Sequence, residues 1–541
     1  MMGEDVQNQG RLTEADDTEA RNLKVRHQIP GKVYLVGAGP GAPGLITLRG
    51  VECLRLADLV LYDGLVNPLL LKWTSGICER TARTRTQGEA WVPQQEINAR
   101  LISEARAGRC VVRLKGGDPC IFGRGGEEEA ALRAAGIPYE IVPGITAATA
   151  AAGYAGFSLT HRESASAVAF VTGHQDPTQQ NNSLDYRALA AFPGTLVFYM
   201  GLARITELCG RLMAAGMSSD TPAAVVCHAS LPSQKIVIGT LATLPNDVMQ
   251  AGLRPPSLII VGQCVAQRAS TSWFETLPLF GLSIGITRPE DQASETMADV
   301  VAQGGEPVLM PMLKIAPVDE IHAEVVRKTL SVLQNYDWLI LTSSNGVHGF
   351  VRHLMESGRD LRATGHLKIA AIGQATAATL RTYSLSADLI PPDARAESLA
   401  ETLIPHVAGK RCLWACASRT RDTLSDLLKS TTQLEPLVVY QNLDADAAAP
   451  EIAARMSRNQ LNWVGLSSPA SVLQFRRFLD HHQISPQTMA TQVAVISKLT
   501  AEAAHDSGIP VAAVAAETSW SGILRAIAAA NVKSSAGSGA T

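Results

Sequence analysis

Lys32-Val33-Tyr34-Leu35-Val36-Gly37-Ala38-Gly39-Pro40-Gly41 is where ordered structure is expected to start. An apolar run that ends in a glycine turn reads as a strand buried on both faces and entering a tight loop. Working outward, short apolar runs alternate with helical patterns: LADLVLYD (56–63), PQQEINARLISEARAG (93–108), CVVRLKGGD (110–118) and GGEEEAALRAAG (125–136). That alternation predicts an α/β unit with a largely parallel sheet, continuing through TLVFYMG (195–201), PAAVVCHAS (222–230) and SLIIVGQCV (257–265). After a break near TSWFETLPLF (271–280), LSIGITRPE (282–290) starts a second α/β series of similar length. Residues 1–30 are polar and charged without periodicity, which predicts a disordered tail, and residues 531–541 are expected to be a flexible C-terminus.

The second series contains an internal repeat. Ser344 aligns with Ser468, Ala370 with Ala494, Ile372 with Ile496 and Thr376 with Thr500, all at a single offset of 124 residues. The period is too long for a solenoid and predicts two similar lobes facing a cleft.

Composition excludes several classes of function. Of 541 residues, 46% are hydrophobic and 18% charged, and the net charge is −3. No broad basic field is available to hold nucleic acid or an anionic membrane. The small-apolar stretch Pro143–Phe157 is broken by Gly144, Gly153 and Gly156, and falls short of the ~20 residues of a membrane span. The first residues lack the pattern of a signal peptide, so a cytoplasmic location is expected. Nine scattered cysteines without a C-x-x-C pair predict neither disulfides nor a metal site.

Two glycine-rich strand ends carry the chemistry of the first series. GAGPGA (37–42) is a weak match to a dinucleotide fingerprint, with Asp63 about twenty residues on as a mimic of the ribose-binding acid. An NAD-linked oxidoreductase paired with a non-catalytic ligand-binding second half is therefore the alternative reading. Pro43 and Gly44 argue against it, because they continue the turn where a helix should open. The second strand end is RLKGGDP (113–119). Gly116 and Gly117 let backbone approach a ligand, and Asp118 offers a carboxylate at the strand end, with Arg113, Lys115 and Arg124 expected around it. In the second series, Thr376 and Thr500 each follow a strand and precede a helix, a place where free N–H groups and a hydroxyl can meet an anion; the plainer reading is helix capping.

In order along residues 31–275, GAGPGAPGLITLRG, LYDGLV, VPQQEIN, VRLKGGDPCIFGRGGEE, PGITAA, FVTGH, LVFYMG and PSLIIVG resemble the uroporphyrinogen III C-methyltransferase family. The resemblance implies a two-lobed tetrapyrrole methylase fold, S-adenosylmethionine as cofactor, tetrapyrrole substrates and a homodimer. It implies cofactor contacts at Pro40, Gly116, Gly117, Asp118, Ile121, Thr146, Ala147 and Met200, and at Ala229, where many relatives have Gly. It also implies Asp63 as proton acceptor. The family's donor Lys falls on Arg85, whose guanidinium is effectively always protonated and suits a substrate carboxylate better than acid catalysis. Arg113 is the other group expected to handle substrate.

Over residues 281–530, ITRPE, ILTSSNGV, AAIGQATA, LVVYQ and LSSPAS resemble uroporphyrinogen III synthase more loosely. That resemblance implies a bilobed α/β fold that closes hydroxymethylbilane without a cofactor, with Ser344, Thr376, Ser468 and Thr500 at the substrate and Tyr440 assisting loss of the hydroxyl. Ser497 stands where the family has Gly, a departure expected to shift the turn that presents Thr500. The chain as a whole then reads as a bifunctional enzyme leading towards sirohaem or cobalamin through precorrin-2. No dehydrogenase or ferrochelatase module is visible in it.

Overall fold

The computed structural model describes residues 31–81, 92–173, 184–420, 422–444 and 449–538. The tail 1–30 and Arg85 lie outside the described residues. Four five-stranded sheets organise the chain, two in each half. The first contains β1 (Val33–Gly37), β2 (Leu59–Asp63), β3 (Ile77–Thr81), β4 (Val111–Lys115) and β5 (Tyr139–Val142), in the order β3-β2-β4-β1-β5. All its pairings are parallel, and β1 and β4 are buried along their whole length. This is why β1 reads as an unbroken apolar run: helices cover both faces of the sheet.

The second sheet corrects an expectation. It holds β6 (Val168–Thr172), β7 (Thr195–Tyr199), β8 (Pro222–Cys227), β9 (Lys235–Thr240) and β10 (Ser257–Val261), in the order β6-β7-β10-β8-β9. Only β6 and β7 are parallel; β10 runs antiparallel to both its neighbours, and β8 and β9 form an antiparallel pair. Residues 228–234 join β8 to β9, too short a link for the crossover a parallel pair requires. Apolar content gave no sign of this, because a buried strand looks the same in either direction.

The second half holds β11 (Ser283–Ile286), β12 (Glu306–Leu309), β13 (Leu313–Ala316), β14 (Trp338–Leu341), β15 (Lys368–Ala371), β16 (Arg411–Ala417), β17 (Gln433–Asp444), β18 (Trp463–Leu466), β19 (Gln492–Val495) and β20 (Ala513–Val514). One lobe is the parallel sheet β12-β11-β18-β19-β20. The other is β13-β17-β16-β14-β15, parallel except for β13 on β17. The chain leaves the first lobe after β12, builds the whole of the second and returns at β18. The expected pair of bilobed α/β halves is therefore present. The last helix, Trp520–Ser538, continues beyond the expected boundary at 530.

The internal repeat is real, but its register carries a gap. Trp338 pairs with Lys368 across β14 and β15, and Trp463 pairs with Gln492 across β18 and β19. Superposing the tryptophans matches Ser343, not Ser344, with Ser468. Both are N-caps: Ser343 accepts from Gly346 N and Ser468 from Ser471 N. The single gap-free offset is thus overturned for the first block, while Thr376 and Thr500 keep theirs.

Candidate functional site

Three glycine loops meet at the carboxyl ends of β1, β4 and β5. Gly39 N donates to Gly117 O at 3.2 Å and Gly117 N to Gly39 O at 2.7 Å. A Cβ on Gly144 would stand 2.2 Å from Gly117 O, and one on Gly37 2.5 Å from Gly144 Cα. Gly37 and Gly144 are therefore dictated by backbone packing on backbone rather than by a ligand. Gly117 has φ +71°, a conformation that favours glycine, and a Cβ there would lie 3.7 Å from Ala147 N, between the GGDP loop and the start of the helix Ala147–Ala155.

Asp118 is the tie between the loops. One carboxylate oxygen accepts from Cys120 N at 2.7 Å and the other from Gly144 N at 2.9 Å. The cations expected around it are elsewhere, which corrects the sequence reading. Arg124 pairs with exposed Glu127. Arg113 and Lys115 are fully buried under the first sheet, because the strand alternation that puts their backbone beside the glycines turns both side chains to Glu128. Arg113 Nε lies 3.1 Å from Glu128 and Lys115 Nζ 2.9 Å. Arg113 also donates to Leu61 O at 3.1 Å and pairs through Nη2 with Asp63, which takes a further hydrogen bond from Thr81 Oγ1 at 3.1 Å.

Two cations and two carboxylates thus form one set. Burial works against the Glu128 anion, but the guanidinium of Arg113 and the ammonium of Lys115 hold its carboxyl below the usual range. Burial and the neighbouring Arg113 push the Lys115 ammonium down. Removing one member of such a buried set typically costs about 3–5 kcal/mol.

The second sheet closes the other side. Tyr199 Oη accepts from Ala148 N at 3.1 Å and lies 2.7 Å from Thr146 Oγ1, fixing the start of the helix Ala147–Ala155. The Phe122 ring packs 4.8 Å from Tyr199, and Met200 follows at φ +56°, 57% exposed. After β8, His228 and Ser230 flank Ala229 in left-handed conformations, and Ser230 Oγ accepts from Ala42 N at 3.0 Å. Ile121, Ala147 and Ala229 share one apolar cluster. Of the expected cofactor residues, Ile121, Ala147 and Ala229 thus lie in one cluster with Tyr199, whose hydroxyl meets Thr146, while Gly117 and Asp118 lie in the loop tied to Gly144. Tyr199 and Glu128 were missed, although the FYMG and GGEE motifs contain them.

In the second half, Tyr440 lies 3.1 Å from Ser343 Oγ, and burial raises its phenol while that bond lowers it. Ser344 instead accepts from Thr379 Oγ1 at 2.8 Å. Thr376 and Thr500 are buried, each three residues beyond the caps Gly373 and Ser497, so neither caps its helix. Ser497 lies at φ −160° and Gly373 at φ −174°, both extended, so the serine leaves the turn unshifted; it caps Thr500 N at 3.3 Å. Gln292 Nε2 donates to Asn345 Oδ1 at 2.7 Å, joining the two lobes beside Ser344. Among the described residues no cluster is placed to hold a metal, and no helix is long and apolar enough to cross a membrane.

Residues 32–245 match the family of tetrapyrrole (corrin/porphyrin) methylases, and residues 294–525 match the uroporphyrinogen-III synthase HemD family. The porphyrin biosynthesis protein HemD of Ruminiclostridium josui is 33% identical over 476 residues, covering 88% of this chain and 93% of that protein. The chain belongs to the family of fused tetrapyrrole methylase–uroporphyrinogen-III synthase enzymes. The methylase part is also 47% identical over 268 residues to the siroheme synthase of Thiobacillus denitrificans, covering 49% of this chain. This fusion spans only 56% of that siroheme synthase. A uroporphyrin-III C-methyl transferase of Thermus thermophilus, solved with S-adenyl homocysteine, is similar at 38% identity and a TM-score of 0.37, covering 43% of this chain and 99% of that one. The fused enzyme acts in tetrapyrrole biosynthesis.

Proposed function

We propose that the second half closes hydroxymethylbilane to uroporphyrinogen III and that the first half methylates this product twice to precorrin-2. The methyl donor is S-adenosylmethionine, whose sulfonium supplies an already activated methyl group. The observation that carries this reading is the convergence of the three glycine loops with the segment after β8, joined to them through Ser230.

The protein's own work is positioning. Asp118 locks the GGDP loop onto Gly144, and Tyr199 orders the helix start at Thr146. Asp63, partly exposed at the end of β2 and oriented by Arg113, is the base that removes the pyrrole proton after transfer. Arg85 binds a substrate carboxylate. Aligning the two reactants and excluding water can supply several kcal/mol of the barrier reduction. In the synthase half, Tyr440 donates a proton to the departing hydroxyl, while Ser343, Ser344, Ser468, Thr376 and Thr500 belong to the helix starts that meet the substrate's carboxylates.

Residues 31–275 and 281–538 are the two units in this reading. The protein works in the cytoplasm as a dimer formed through its methylase half, and the product feeds the branch towards sirohaem or cobalamin. Calorimetry with S-adenosylmethionine and with NAD tests the cofactor: the former should bind, and binding of NAD alone would overturn the assignment.

A further inference from the structure

We propose that Glu128 is a positioning residue for methyl transfer: it holds Arg113 so that the guanidinium presents Asp63 to the cleft. The inference rests on the methyltransferase reading. Glu128 lies on the helix Gly125–Ala134, directly after the GGDP loop, and is fully buried. Its carboxylate receives Arg113 Nε at 3.1 Å, Lys115 Nζ at 2.9 Å and Gln94 Nε2 at 3.2 Å. Gln94 in turn is fixed by Asn98 at 2.8 Å.

A guanidinium is a planar fork, so fixing one edge fixes the other. Arg113 spends Nε on Glu128 and Nη1 on Leu61 O, which leaves Nη2 aimed at Asp63. Asp63 is the member of the set with side-chain exposure, at 19%, while Arg113 and Glu128 have none. Lys115 gives the buried set its second cation and donates to Glu128 at 3.0 Å. Two functions of Glu128 can therefore be separated. One is to neutralise Lys115, which is structural. The other is to orient Arg113, and through it Asp63, which is catalytic in effect.

The test compares three variants of the full chain: Glu128→Gln, Lys115→Met and the double variant Lys115→Met/Glu128→Gln. The double variant restores the balance of charge, leaving Arg113 opposite Asp63. Thermal melting reports stability, calorimetry reports S-adenosylmethionine affinity, and single-turnover methylation of uroporphyrinogen III reports chemistry. The expected result is that Glu128→Gln lowers the melting temperature and the double variant recovers most of it. Cofactor affinity should stay within about 2-fold, because the Asp118 ties are separate. The methylation rate of the double variant should remain at least about 10-fold below wild type. Lys115→Met alone, with Glu128 still on Arg113, should lose less than the double variant. Recovery of rate together with stability in the double variant would overturn the positioning role. A wild-type protein that fails to bind S-adenosylmethionine would instead overturn the reading beneath it.

Discussion

Tyr440 Oη and Ser343 Oγ lie 3.1 Å apart, joining β17 to the N-cap of the helix Ser344–Glu356. The serine that meets the tyrosine is thus the one matched to Ser468 by the tryptophans, and its neighbour Ser344 is engaged by Thr379 instead. Ser343→Ala should therefore lower ring closure to the type III isomer more than Ser344→Ala, by roughly 10-fold if one transition-state hydrogen bond is lost. It should also cost about 1 kcal/mol of stability as a lost helix cap. Isomer analysis of products from hydroxymethylbilane, with melting curves alongside, checks both. Equal losses from the two serines would reject the corrected register.

The buried carboxylate of Asp118 accepts from two backbone amides, whereas Asp63 is held by Arg113 and Thr81. Hydrogen bonds to charged groups are worth about 1.5–3 kcal/mol each. Asp118→Ala should weaken S-adenosylmethionine binding by about 10- to 100-fold, whereas Asp63→Ala should leave it nearly unchanged and slow the chemical step. Calorimetry on both variants decides, and the reverse ranking would contradict the pocket.

Gly144 and Gly153 offer a paired test of backbone packing. A Cβ at Gly144 would sit 2.2 Å from Gly117 O, whereas nothing lies within 4 Å of one at Gly153. Gly144→Ala should destabilise by about 1–3 kcal/mol through forced displacement. Gly153→Ala, inside the helix Ala147–Ala155, should stabilise by up to about 1 kcal/mol. Melting temperatures of the two variants should move in opposite directions.

Glu140 is held at about 2 by its hydrogen bonds to Arg49, with Lys32 adding to the effect against some burial. A carboxyl whose folded value is depressed contributes stability above its unfolded value, and loses it as pH falls towards the folded one. The pair is partly exposed, so the size is modest. Glu140→Gln should lower the melting temperature at pH 7 and make progressively less difference from about pH 4.5 down to pH 2. A constant difference across that range would mean the ion pairs contribute nothing.

The sequence made the architecture legible wherever periodicity and glycine turns agree, as in β1 and the GGDP strand. Strand direction in the second sheet was not legible, because β10 is equally apolar whichever way it runs. The rim residues of the cofactor site were legible as motifs, yet their contacts were not. Arg113 and Lys115 look like surface cations beside Asp118, and only the pleat of β4 shows that they point to a carboxylate ten or more residues further along. The repeat was visible, but its one-residue gap was hidden by the Ser-Ser pairs at 343–344 and 467–468, which align equally well either way.

Mass spectrometry of the products formed by the full chain from hydroxymethylbilane and S-adenosylmethionine tests the central claim most directly. The predicted product carries two added methyl groups on a type III macrocycle, and omitting S-adenosylmethionine should leave unmethylated type III uroporphyrinogen. Accumulation of only the spontaneous type I isomer, or of an unmethylated macrocycle with the cofactor present, would contradict it.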